Sequence, residues 1–129
     1  MRTLAALLLL ALPATAQEAS LSPEEFAARV DGRTLTYHSG GAPYGIERYG
    51  PGRAVTWSFL DGRCLEGEWY PNAGAICFDY EDGTGPECWR FYDEGGRLRA
   101  EFVNDPDAPV LYEVEEAEGP LLCQPEVGV

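Results

Sequence analysis

Four cysteines, one histidine and 22 acidic residues are the groups in this 129-residue chain that could support covalent, metal or acid–base chemistry. The cysteines are Cys64, Cys77, Cys88 and Cys123. No Cys-x-x-Cys spacing occurs, so a redox dithiol or zinc knuckle is not expected and two disulfides are. His38 stands alone beside a Ser39-Gly40-Gly41 turn. A general base needs a nucleophile or an orienting carboxylate within reach, and a lone strand-end histidine offers no spacing from which to infer one. Serine-nucleophile elbows and phosphate-binding glycine loops are missing from the sequence, whose glycines punctuate turns.

The acids group in two places. Glu66, Glu68 and Asp79 are expected on one outer face of neighbouring strands, and Glu113, Glu115, Glu116 and Glu118 form a second acidic stretch. Oxygen donors of this kind can hold calcium, and paired carboxylates can hydrolyse glycosides. Without an Asp-x-Asp-x-Asp-Gly loop to organise them, a solvated outer face accounts for the same residues more simply. No catalytic residue, metal ligand or cofactor site is assigned on this basis, and the chain is not expected to be an enzyme. The cysteine quartet is the one set given a definite role.

The segments that must position these residues begin with an export signal. Arg2, an uncharged apolar run over 4–12 and Ala14-Thr15-Ala16 follow the order of a secretory signal peptide spanning 1–16. The run is too short to anchor the chain in a bilayer. Residues 17–129 are expected to form a single β-rich domain in the periplasm or outside the cell, where disulfides persist. The formal charge is −13, and every basic residue is arginine. That balance disfavours nucleic acid and anionic membrane surfaces as partners.

One helix is expected. Ser22, Pro23 and Glu25 make a capping box with proline in the first turn, Leu21 can pack on Phe26, and Asp31-Gly32 ends the helix. Beyond Gly32 the pattern alternates, and strands are expected at 34–38, 44–49, 54–59, 63–70, 75–80, 88–93, 98–103 and 111–114. The connections are too short for helical crossovers, so the fold class is all-β: an antiparallel meander closing into a small barrel or strongly curled sheet, with one N-terminal helix.

Hairpin arithmetic refines this. A four-residue loop over 81–84 sets Cys77 opposite Cys88 as a non-hydrogen-bonded pair, where side chains come closest, and places Pro86 where no N–H is needed. Cys64 and Cys123 then pair by elimination. A three-residue loop at Leu60-Asp61-Gly62 sets Trp57 opposite Leu65, with Gly62 in the left-handed position of a bulged hairpin. A four-residue loop over 71–74 would set Trp69 opposite Ile76. Trp57, Phe59, Trp69, Phe78, Tyr80, Trp89, Phe91 and Phe102 then all face inward, opposite the cysteines. A barrel this small is expected to be largely filled by such side chains.

The run from Asp61 to Tyr70, with Ile76-Cys77-Phe78-Asp79-Tyr80 and Cys88-Trp89, resembles a family of small uncharacterised exported proteins of alphaproteobacteria, built on a Gly-x-Trp strand, a Cys-Phe strand and a Cys-Trp strand. The resemblance implies an exported all-β domain and the Cys77–Cys88 bond, and no activity. The functional expectation is a non-enzymatic binding module. Its partner would be a cell-envelope protein, in the manner of small-barrel inhibitors of basic enzymes such as lysozyme. The alternative is a lipocalin-like carrier of a small apolar ligand, and a carboxylate hydrolase ranks last.

Overall fold

The structure, a computed structural model, describes residues 11, 18–114 and 121–124. The expected signal peptide (residue 11 apart) and the acids at 115–118 lie outside the described residues. One helix, α1 (Pro23–Val30), precedes eight strands: β1 (Thr34–Ser39), β2 (Ala42–Tyr49), β3 (Ala54–Ser58), β4 (Cys64–Asn72), β5 (Ala75–Tyr80), β6 (Glu87–Glu94), β7 (Arg97–Phe102) and β8 (Leu111–Glu113). Each strand pairs antiparallel with the next, and β8 returns to β1, so the sheet closes into a barrel. Closure removes the unpaired edges that would template aggregation.

α1 starts where the capping box requires. Glu25 N–H donates to Ser22 Oγ, and Ser22 N–H donates to Glu25 Oε1, both at 3.1 Å. Phe26 and Val30, one turn apart, are fully buried. The Phe26 ring enters the barrel and meets Phe91 at 4.5 Å, Trp69 at 5.1 Å and Tyr49 at 5.8 Å between centroids. Leu21 N–H donates to Phe91 O, Gly32 N–H to Tyr49 O, and Arg29 Nη2 to Gly96 O in the β6–β7 turn. The helix therefore stoppers one end of the barrel.

The hairpins set which side chains face inward. Cys77 lies opposite Cys88 with Ile76 opposite Trp89, and Trp57 lies opposite Leu65. Gly62 has φ 85°, and Leu60 beside it is also left-handed at φ 71°. The β4–β5 hairpin differs from expectation. Its turn is the two residues Ala73 (φ 48°) and Gly74 (φ 80°), both left-handed as a type I′ turn demands. Trp69 consequently faces Phe78, and Pro71 faces Ile76. The reason is that β3 pairs with β4 only as far as Glu68. Pro71 lies beyond that ladder, so its missing N–H leaves no acceptor unpaired and β4 can run on through it. The slip is two residues, an even number, so every side chain keeps its face.

Two aromatics depart from the expected inward set. β3 ends at Ser58, and Phe59 just beyond it is 53 % exposed. Phe102 is half-buried and packs on Trp89, itself half-buried, at 4.6 Å between centroids. These rings lie at the end of the barrel opposite α1.

Candidate functional site

At that opposite end the lumen is not filled. A cavity of about 40 Å³ remains, widening to about 420 Å³ when the gaps between side chains and the open mouth are included. The enclosed part has room for a few waters. Its walls are aromatic. Tyr37 and Tyr49 close it toward α1, Phe78, Tyr80 and Phe91 line its sides, and Trp57, Trp89, Tyr44 and Phe59 surround the opening. Tyr44, Trp57 and Phe59 form a cluster with centroids 5.4 to 6.0 Å apart. Tyr44 is 39 % exposed, so the cluster is reachable from solvent.

Gly45 explains how Trp57 reaches this position. A β-carbon at residue 45 would overlap the six-membered ring of the Trp57 indole, which lies across β2. Gly67 does the same for β4, where a β-carbon would collide with Asp79 O and crowd Tyr80. Both glycines are bare strand positions over which a large ring is laid.

Two carboxyls enter this aromatic shell. Glu47, between Gly45 and Tyr49 on the inner face of β2, is 1 % exposed. Its Oε1 accepts the Tyr80 hydroxyl at 2.8 Å. Its Oε2 is buried and has no hydrogen-bond partner among the described residues. Burial pushes the Glu47 carboxyl up from its ordinary value of 4.5 to about 8, the Tyr80 hydrogen bond opposing and the charges of Glu87 and Glu66 adding to the rise. Glu87, which starts β6 on the same inner face as Trp89, is half-buried, and its pKa is raised by desolvation and then by Asp82. Nearer α1 the Tyr37 and Tyr49 hydroxyls bond to each other at 2.8 Å, and burial pushes both well above the ordinary tyrosine range. Among the described residues no cationic side chain lines the cavity.

The chain matches no protein-family model, and neither curated proteins nor solved structures give a significant match.

Of the residues singled out from the sequence, Trp57, Phe59, Phe78, Tyr80, Trp89 and Phe91 line the cavity, while the cysteines, His38 and the outer acids lie elsewhere. Cys77–Cys88 and Cys64–Cys123 are bonded, and neither pair lines the cavity. The second bond holds the segment 121–124 against the β3–β4 loop, where Gln124 N–H also donates to Gly62 O at 2.6 Å. His38 sits near the end of β1 in a shallow surface groove with Tyr112 and Arg97, outside the cavity. Glu66 accepts a hydrogen bond from Thr56 Oγ1, and Glu66, Glu68 and Asp79 remain exposed. Among the described residues no three His, Cys, Asp or Glu side chains are grouped to hold a metal. Glu113 corrects the reading of a solvated acidic stretch. It points inward, is 7 % exposed, and accepts the Leu98 N–H at 2.8 Å and Arg33 Nη2 at 3.3 Å.

Glu47 and Glu87 were the residues to find. The signal was present: Glu47 alternates with Tyr49 and stands opposite Trp57, while Glu87 alternates with Trp89 and Phe91. Acids are so rarely buried that alternation alone places them outside by default.

Proposed function

We propose that this protein is a non-enzymatic binding module of the periplasm or the extracellular space, and that it holds a small ligand in the open end of its barrel. One observation carries the reading: a lumen stoppered by α1 at one end and left unfilled, aromatic and reachable at the other. A barrel that served only as a scaffold would gain from closing that end with apolar side chains. The two disulfides are consistent with an oxidising compartment. The carboxylate hydrolase has Glu47 and Glu87 in its favour, but a cavity of about 40 Å³ does not admit a sugar ring.

A protein partner is a second reading, favoured by Phe59 and Leu60, which are 53 % and 46 % exposed on one loop. Native mass spectrometry of the oxidised chain 17–129 against a library of small compounds tests the first reading. A one-to-one adduct that quenches tryptophan fluorescence, and is weakened by Trp57→Ala, is expected. Capture of an envelope protein that depends on Phe59 and Leu60, with no small-molecule adduct, would replace it.

A further inference from the structure

The cavity carries information about what it takes. Glu47 lines it with a side chain that is 1 % exposed, and its Oε2 has no hydrogen-bond partner among the described residues. A buried oxygen left unpaired is costly, and native structures rarely tolerate one that nothing ever satisfies. The other acid at the site, Glu87, is also an acceptor when ionised. Tyr44, Trp57 and Phe59 line the same cavity, and aromatic rings can attract a cation through their quadrupoles. The enclosed volume admits a head group the size of a few waters, while the exposed rings at the mouth offer area for a larger apolar body. A net charge of −13 draws cations toward the molecule and repels anions.

Resting on the small-ligand reading above, we propose that the ligand is a primary ammonium on an apolar stem: the –NH₃⁺ group enters to donate to Glu47 Oε2, and the stem stacks on Tyr44, Trp57 and Phe59. The Tyr80 hydroxyl holds the other oxygen of Glu47 and so fixes the direction of the free one. A quaternary ammonium lacks the N–H that Oε2 needs, and a carboxylate ligand would meet two acids.

Binding should also release a proton. The groups facing or acting on Glu47 are Tyr80 of β5, Glu87 of β6, Tyr37 of β1, Tyr49 of its own β2 and, through the wall, Glu66 of β4. None is a cation, so a neutral carboxyl is the resting form near neutral pH. An incoming ammonium favours the carboxylate, and the displaced proton leaves to solvent.

The test is calorimetric and fluorimetric titration of the oxidised protein with phenethylammonium, 2-phenylethanol and phenylacetate, at pH 6 and pH 8. The ammonium should bind at least ~10-fold tighter than the alcohol at pH 8, phenylacetate should bind weakest, and the ammonium should gain ~10-fold or more from pH 6 to pH 8. Glu47→Gln should abolish both the preference and the pH dependence, so that the ammonium and 2-phenylethanol bind alike. Nα-acetyl-lysine methylamide, which carries the same head group, separates a free amine from a lysine of a protein partner by which binds tighter. Equal binding of ammonium and alcohol by the wild-type protein would overturn the ammonium assignment and leave the small-ligand reading standing. No binding of any of the probes would overturn the ammonium assignment, and an empty library screen would then remove the reading beneath it. The wild-type comparison does not depend on any variant folding.

Discussion

The two ends of the barrel are built from the same eight strands and finished in opposite ways. At the α1 end, Phe26 is fully buried among Tyr49, Trp69 and Phe91, and the helix is tied to three surrounding segments by hydrogen bonds. At the other end, Phe59 and Tyr44 stand in solvent, and a carboxyl with an unpaired oxygen lies beneath them. The first arrangement is dry and closely packed, with one polar group, Trp69 Nε1, buried without a hydrogen-bond partner among the described residues, while the second leaves both apolar surface wet and an ionisable group dry. The coincidence of wet rings and a dry carboxyl distinguishes the second end, and departures of that kind are expected where a fold serves a function. The contrast also says where stability should reside.

The sharpest way to break the comparison is to truncate one phenylalanine at each end. Phe26→Ala removes a ring packed on all sides, and should cost about 3–5 kcal/mol in chemical denaturation, enough to unfold a marginal domain. Phe59→Ala removes a ring more than half exposed and should shift stability by no more than about 0.5 kcal/mol. Its effect should appear in ligand binding instead. Similar losses of stability at the two positions would show that the open end is packed as tightly as the closed one.

The pH dependence sharpens the comparison next. The folded-state pKa of Glu47, at about 8, lies above its ordinary value of 4.5. The native state therefore holds a proton that the unfolded chain gives up, and stability falls as pH rises between those values. The stabilisation is complete below the lower value and gone above the higher one. The loss from this one group should be a few kcal/mol at most, about 1.4 kcal/mol for each pH unit within the window. Denaturation midpoints of wild type and Glu47→Gln, measured from pH 5 to pH 9, check this. The variant should flatten the slope and overtake wild type at the alkaline end. A parallel slope in both proteins would locate the titration elsewhere and leave the buried acid without the cost assigned to it.

The same division runs through what could be read from the residues. The closed end was legible because its signals are local: a Ser-x-x-Glu box, a proline in the first turn and two apolar residues four apart leave one helix and one buried face. The Cys77–Cys88 and Trp57–Leu65 registers were legible because each is constrained by two requirements at once, loop length and face. The β4–β5 register has only the face to constrain it, and a two-residue slip satisfies that equally well, so Pro71 reads as a turn residue in sequence and is a strand residue in the fold. The open end was illegible for a different reason. Its defining residues, Glu47 and Glu87, break the rule that sorts acids to the outside, and a reading built on that rule cannot see them. Gly45 was a usable clue, since a glycine inside a strand marks the close approach of something large, here the Trp57 ring.

The smallest effect tests whether the two ends are independent. Ser22 caps α1 from an exposed position, with its hydroxyl accepting the Glu25 N–H. Ser22→Ala should cost about 1 kcal/mol, typical of a lost cap. The loss should be local. α1 enters the lumen through Phe26, whereas the cavity begins beyond Tyr37 and Tyr49, whose hydroxyls are bonded to each other across the interior. Phe78 and Phe91 touch Phe26 and also line the cavity, but a loosened cap leaves Phe26 buried among them and should not move Glu47 or the mouth. Hydrogen exchange should quicken at the amides of α1 and at Gly32, which donates to Tyr49 O, while the amides of β5 and the affinity for ligand stay unchanged. A change in affinity on Ser22→Ala would mean that motion of the stopper is transmitted to the site through Tyr49, Phe78 and Phe91, and that the closed end tunes the open one.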